Sequence, residues 1–254
     1  MSLILVTGGT GTLGRAVADR LLAQDHEVRV ASRRERADGE QPSCDWAVVD
    51  YRTGRGLDAA CRGADSIVHC ATAVLGGEVR LARAVVGAAR RTGVAHLVYM
   101  SIVGVDRVPL PYYTAKLAAE REFESSGLPV TILRATQFHD LVVRVLETAA
   151  RLPVLVLPAG LSFQSVDVTE VAARLAAIAT GRAAGRVADF GGPNVRDLRD
   201  LASAYLRASG RRRRIASIRL PGKVIRAFRA GEHLAPDHAE GTRTFEEFLR
   251  DRVG

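Results

Sequence analysis

The sequence predicts an α/β protein built on a doubly wound parallel sheet, and three observations carry that expectation. Short apolar runs rich in β-branched residues recur along the first half of the chain. Stretches with helical spacing of apolar residues separate most of them, the alternation that a parallel sheet covered by helices produces. A glycine-rich turn joins the first run to the first helical stretch. With 254 residues, 47% of them hydrophobic and 25% charged, the chain has the length and composition of a globular protein with a self-supporting core, which excludes a disordered or fibrous one.

The elements follow in order. Leu3 to Val6 is the first strand, and Leu13, Val17 and Leu21 mark one face of the helix after it. Further strands are expected at Val28 to Ala31, Ala47 to Val49, Ser66 to His69, His96 to Met100 and Val130 to Leu133. A weak helix around Leu57 to Cys61 and a stronger one carrying Val79, Ala82 and Val86 lie between them. After Thr136 the rhythm changes: prolines appear at 153, 158, 193, 221 and 236, and helical patterns at Val168 to Ala179, Leu198 to Leu206, Val224 to Phe228 and Phe245 to Leu249. Asp167 and Asp197 stand where N-caps are expected. Residues 1–136 therefore read as the nucleotide-binding core, and 137–254 as a smaller, less regular region that completes the sheet and forms the substrate pocket.

Cys44, Cys61 and Cys70 form no Cys-x-x-Cys pair and are odd in number, so neither a metal site nor a disulfide framework is expected. Leu3 to Val6 lacks the length and basic flank of a signal sequence, and no stretch reaches membrane-spanning length, so a cytoplasmic protein without membrane contact is expected. The net charge of +8 admits phosphorylated ligands, acidic membranes or nucleic acid. The densest basic run, Arg211 to Arg214, has no interleaved aromatic residue for base stacking and reads as a solvated turn, so no nucleic-acid partner is expected. The expected partner is a small-molecule substrate, with the chain a monomer or homodimer.

The segment Thr7, Gly8, Gly9, Thr10, Gly11, Thr12, Leu13, Gly14 follows the first strand and opens the first helix. Its glycines fit both GxGxxG and GxxGxxG. Such a turn must bend tightly, approach a pyrophosphate without a Cβ in the way and aim a helix N-terminus at the negative charge, the demands of a Rossmann-type dinucleotide site. At the end of the second strand, where an NAD site keeps an acid for the ribose 2′-hydroxyl, the chain has Ser32, Arg33 and Arg34. Forked guanidinium donors suit a 2′-phosphate, so NADP(H) is the expected cofactor, although Glu35 reaches a ribose instead if the strand ends later. Asp50 is either an acceptor for the adenine amino group or a cap for the next turn.

Tyr112 and Lys116 lie four residues apart on a predicted helix, on one face. Reduction of a carbonyl by hydride needs a proton for the new alkoxide, and a tyrosine whose pKa is lowered by a neighbouring ammonium can supply it. Of 36 basic residues only Lys116 and Lys223 are lysines, so a lysine kept at 116 in an arginine-rich chain suggests a site that needs a compact ammonium. Tyr113 is the alternative ring.

These residues resemble the short-chain dehydrogenase/reductase superfamily, and within it the atypical, NmrA-like branch of NAD(P)-binding proteins. The resemblance rests on TGGTGTLG at Thr7, VHCAT at Val68, HLVYMSIVGVD from His96, YYTAK from Tyr112 and LPVTILRATQFHD from Leu128, with FQSVDVTEVA from Phe163 and FEEFL near the end. It implies that Gly8, Gly11 and Gly14 hold the pyrophosphate, that Arg33 and Arg34 hold the 2′-phosphate, and that Cys70, Ala71 and Thr72 flank the cofactor. Lys116 is expected to serve both cofactor and chemistry, and Ser101 opens the loop where the superfamily keeps its catalytic serine. The family's serine often falls two places later, where this chain has Val103. Gln137, Phe138 and His139 follow the sixth strand where a substrate pocket usually begins; His139 is a candidate acid or a packed helix-start residue. His233 and His238 are expected in loops.

The expected activity is hydride transfer from NADPH to a small apolar carbonyl, enone or quinone. The alternatives are a non-catalytic NADP(H) redox sensor, for which Val103 speaks, and an epimerase or dehydratase that recycles its cofactor.

Overall fold

The computed structural model describes residues 1–37, 39, 43–73 and 76–253. The chain runs β1 (Leu3–Thr7), α1 (Thr12–Leu22), β2 (Glu27–Ser32), β3 (Asp45–Val48), α2 (Leu57–Cys61), β4 (Ser66–His69), α3 (Glu78–Thr92), β5 (His96–Ile102), α4 (Pro111–Glu124) and β6 (Val130–Ala135). It continues through α5 (His139–Ala149), β7 (Val154–Pro158), β8 (Ser162–Phe163), α6 (Val168–Ala179), β9 (Gly185–Arg186) and β10 (Arg196–Asp197). Last come α7 (Leu198–Ala208), β11 (Arg214–Ile218), α8 (Lys223–Arg229), a short 3-10 turn at Pro236–His238 and α9 (Phe245–Val253). Among the described residues no helix is long and apolar enough to cross a membrane.

Two compact units are present: residues 1–101, 114–134 and 171–188 form the first, and 102–113, 135–170 and 189–254 the second. The first holds the predicted sheet, with seven strands in the order β3-β2-β1-β4-β5-β6-β9. β1 lies parallel to β2 and β4, with Ile4 opposite Val28 on one side and Ser66 on the other. Every residue of β4 and of β6 is buried, as expected for inner strands covered by helices on both faces. α1 turns Leu13, Val17, Ala18 and Leu21 inward, the face anticipated from spacing alone. α3 stops at Gly93, whose φ of +74 lets the Val94 amide bond back to the Ala89 carbonyl. Leu5, Ile67, Leu97, Tyr99, Phe123 and Ile132 centre the core.

The strand order reverses direction between β1 and β4, so the crevice beyond the carboxyl ends of these strands is where such a sheet takes a ligand. One edge differs from expectation: β9 is only two residues long, Gly185 and Arg186, too short for any alternation to reveal.

The second unit has its own core, which includes Leu146, Leu155, Leu201, Tyr205, Phe245 and Phe248. It contains two small pairings, β7 parallel to β11 and β8 antiparallel to β10. Asp197 caps α7 by accepting from the Arg199 amide at 2.7 Å, and Asp167 does the same for Thr169 at 2.8 Å, both as anticipated.

Candidate functional site

The glycine turn stands at the carboxyl end of β1. Gly8 has φ +69, and a Cβ there would come within 2.7 Å of the Ala71 backbone at the end of β4. A Cβ on Gly14 would stand 2.3 Å from the Gly8 carbonyl oxygen, so the helix could not begin where it does with any larger residue. Gly11 is the N-cap of α1 and has no capping side chain, and the first turn carries no acid. The positive end of the helix thus meets the turn unshielded, the arrangement in which an anion serves as cap.

In front of this turn lies a cleft of about 710 Å³. From the residues expected to bind cofactor, Gly8, Thr10, Gly11, Ser32, Arg33, Asp50, Cys70, Ala71 and Thr72 line it together. Gly9, Leu13 and Gly14 are buried, Thr12 is exposed at the start of α1, and none of the four is in the lining. Thr7 is buried behind the turn, where its Oγ1 meets His69 Nδ1 at 2.7 Å and accepts from the Ala71 amide at 3.4 Å. This links the ends of β1 and β4, the strands that flank the crevice. Burial pushes His69 down to about 3, so its ring is neutral, and pushes the Cys70 thiol up to about 12, so it is no nucleophile.

Arg33 borders the cleft, whereas Arg34 is outside its lining, its carbonyl held by Trp46 Nε1 at 3.0 Å and its amide by Ser32 Oγ at 3.2 Å. Asp50 is the cap of a turn: its two oxygens accept from the Arg52 amide and the Thr53 hydroxyl, each at 2.8 Å. These hydrogen bonds, the Arg52 amide first, hold its carboxyl below the usual range. Among the described residues the cleft therefore carries arginine where an NAD ribose would call for a free acid.

Lys116 is buried in the first unit. Its Nζ donates to the Met100 carbonyl at 3.1 Å, lies 4.8 Å from the centre of the Tyr99 ring and faces Glu78 Oε2 at 3.7 Å. Burial lowers its pKa and the Glu78 carboxylate opposes that shift. Ser101, near the end of β5, is fully buried, and its Oγ has no hydrogen-bond partner among the described residues.

The remaining candidates belong to the second unit. Tyr112 is half-buried, and its ring meets that of Tyr113 edge-on at 6.4 Å. Tyr113 is buried, and its hydroxyl accepts from Gln137 Nε2 at 3.1 Å. Phe138 is half-buried beside Val166. His139 is enclosed between Ser165 Oγ at 2.9 Å and the Arg243 carbonyl at 3.1 Å, against Phe245 and Phe248, and burial lowers its pKa. That is the packed arrangement of a helix-start residue. His233 lies in a turn yet is fully buried, its ring 4.3 Å from Phe228. Val103 is buried, its amide bonded to the Ala135 carbonyl.

Residues 8–180 match the family of NAD(P)H-binding proteins. The chain belongs to the NAD(P)H-binding family. This agrees with the atypical short-chain dehydrogenase/reductase resemblance. A 68-residue stretch is 44% identical to uncharacterised proteins of Mycobacterium tuberculosis and Mycobacterium bovis, and it spans 27% of this chain but only 8% of their length. Quinone oxidoreductase 2 of Escherichia coli is 25% identical over 217 residues, 82% of this chain and 75% of that protein. The structure of the NADPH-dependent quinone oxidoreductase of Escherichia coli in complex with NADPH superposes with a TM-score of 0.83 over 99% of this chain and 100% of that one, at 20% identity. The triphenylmethane reductase of Citrobacter sp. complexed with NADP(H) does so with a TM-score of 0.81 over 98% and 99%, at 21% identity. At these identities the likeness is one of fold.

For an NAD(P)H-binding protein the residues fit the group: a Cβ would fill the cradle at Gly8, the α1 N-terminus is uncapped, and guanidiniums border the cleft. Sequence reasoning missed Arg52 and Arg80, which line the same cleft, as well as Glu78. A signal existed for Arg52, which follows Asp50 by two positions. Glu78 stands in the first turn of α3 behind a Gly-Gly pair and looks like an ordinary first-turn acid until its burial is seen.

Proposed function

We propose that this NAD(P)H-binding protein is an NADPH-dependent reductase acting on a small, largely apolar carbonyl, enone or quinone. The observation that carries the choice of NADPH is Arg33 on the cleft directly after β2, with Asp50 already committed to its turn. A forked guanidinium matches a phosphate and leaves an unmodified ribose hydroxyl without an anionic partner. The likeness to the Escherichia coli and Citrobacter enzymes supports reductive chemistry and suggests quinone-like acceptors.

The bound nicotinamide supplies hydride. The chain's part is to hold the pyrophosphate at Gly8 to Gly14, the 2′-phosphate at Arg33 and the nicotinamide side by Lys116, and to deliver a proton to the reduced oxygen. Tyr112, four residues before Lys116 in the sequence, is the proposed donor. Quinones accept electrons readily and need little more than orientation and a proton, which suits a site where Val103 stands in place of a hydroxyl. The proposed substrate lining is Gln137 and Phe138.

The test is NADPH oxidation followed by absorbance against a panel of quinones, enones and apolar ketones, with NADH as the competing donor. Turnover with NADPH favoured at least tenfold over NADH is expected. Tight NADPH binding with no turnover across the panel would replace the reductase by a redox sensor, and product formation without net NADPH loss by a cofactor-recycling isomerisation.

A further inference from the structure

Glutamate is almost never fully buried unless something pairs with it. Glu78 is 1% exposed, at the first position of α3, just after Gly76 and Gly77. Favouring the helix dipole does not require this, because an exposed acid in the first turn does so equally well. What the burial does is bring two sets of groups to one carboxylate. Its Oε1 accepts from the Thr72 hydroxyl and from the Ala73 amide at 2.7 Å, and both residues line the cofactor cleft. Its Oε2 faces Lys116 Nζ at 3.7 Å, beyond hydrogen-bond length but within ion-pair range.

We infer that Glu78 is a positioning residue whose buried carboxylate fixes the Lys116 ammonium and the cleft-lining Thr72 and Ala73 segment relative to each other. This rests on the proposed role of Lys116 toward the nicotinamide side of the cofactor.

Of the groups around Lys116, Glu78 opposes the effect of burial most, ahead of Cys70 and Glu120. Glu120, on α4, gives both oxygens to Arg134, at 2.9 and 2.7 Å. His69 and Cys70, at the end of β4, stay neutral, and from β5 the ammonium meets the Tyr99 ring and the Met100 carbonyl. Glu78 is thus the carboxylate that most favours the charged form of the enclosed lysine against the effect of burial. Without it, burial favours the neutral amine, and the loop loses the acceptor that folds it against α3.

The chain contains two lysines, Lys116 and Lys223, so lysine labelled with 13C at Cε gives a two-signal spectrum in which Lys116 is titrated directly. Glu78→Gln keeps the shape and a neutral acceptor for Thr72 and Ala73. The expected result is at least a tenfold loss of proton affinity at Lys116 with Lys223 unmoved, together with at least a tenfold rise in the Kd for NADPH at pH 8. Glu78→Asp should recover a large part of both. In a Lys116→Met background, Glu78→Gln should change NADPH affinity less than twofold. A Lys116 titration identical to wild type, or affinity losses that multiply in the double variant, would overturn the inference. If Lys116→Met alone leaves NADPH binding and turnover intact, the proposed role of Lys116 falls, while the titration still decides whether Glu78 governs its charge. Should Glu78→Gln not fold, Glu78→Asp is titrated alone: a threefold or greater loss of proton affinity supports the inference and an unmoved midpoint removes it.

Discussion

The Gly8 carbonyl oxygen sits 2.3 Å from where a Cβ on Gly14 would stand, so the first turn of α1 is packed onto the turn that precedes it with no room for a methyl group. Gly14→Ala must push the helix start away from the strand end. Forced overpacking of this kind costs about 1–3 kcal/mol, and it displaces the amides of the turn proposed to hold the pyrophosphate. A lower melting temperature and at least a tenfold weaker NADPH titration are expected. Unchanged binding would mean the turn does not hold the pyrophosphate.

Arg33 and Arg34 separate in the structure, with only the first on the cleft. A charge-assisted hydrogen bond contributes about 1.5–3 kcal/mol, so Arg33→Ala should weaken NADPH by roughly ten- to a hundredfold and leave NADH almost unaffected. Arg34→Ala should do neither. Competitive titration of the two coenzymes against each variant checks this, and an equal loss for both coenzymes would remove Arg33 from the 2′-phosphate.

What was legible follows from how local each feature is. The glycine turn is dictated by backbone geometry within eight residues, and Arg33 by its place one step past a strand end, so both could be read along the chain. Lys116 stood out because its neighbours in composition are arginines. Glu78 and Arg80 became visible only when the segment after β4 folded onto the cleft, a tertiary event with no sequence period. His139 shows the opposite limit: a polar residue after a strand looks functional, yet Ser165 and the Arg243 carbonyl, 26 and 104 residues away in sequence, enclose it. The two-residue strands β8, β9 and β10 are likewise set by their partners rather than by their own residues.

Burial holds His69 down to about 3 and His233 down to about 4, against about 6.5 in an unfolded chain. Between these values the unfolded state binds more protons than the folded one, so stability rises with pH there and is lost as pH falls below about 6.5. Each histidine should remove roughly 2 kcal/mol by pH 4.5. Urea unfolding at pH 7 and 4.5 measures the drop, and His69→Asn, which keeps a polar partner for Thr7, should reduce it. A drop of the same size in His69→Asn would show that other groups are responsible. His96 and His139, whose pKa values burial also lowers, act in the same direction within this window, and the lowered Asp50 and Glu247 add to the loss from its acid end downward.

Arg134 on β6 and Glu120 on α4 form a two-pronged ion pair that is almost wholly enclosed, at 5% and 1% side-chain exposure. Breaking such a pair from one side leaves an uncompensated charge and costs about 3–5 kcal/mol, whereas replacing both by apolar residues of similar size is often neutral. Glu120→Leu should therefore destabilise strongly, and Glu120→Leu with Arg134→Met should recover much of the loss in denaturant unfolding. Additive losses would mean that the pair's worth lies in its shape rather than its charge.

Tyr112 and Tyr113 are adjacent on α4 and differ in what surrounds them. The Tyr113 hydroxyl is buried and accepts from Gln137, and burial raises its pKa, so it is poorly suited to exchange a proton. Tyr113→Phe leaves Gln137 Nε2 without that acceptor and should cost about 1–3 kcal/mol of stability while sparing the chemical step. Tyr112 is half-buried, and its removal as Tyr112→Phe should lower kcat by roughly a hundredfold or more, the usual contribution of a positioned acid, with NADPH affinity unchanged. The two variants thus exchange signatures, one read in melting temperature and the other in turnover. A Tyr112→Phe enzyme with wild-type kcat and a Tyr113→Phe enzyme without activity would reverse the assignment and make the enclosed ring the proton source.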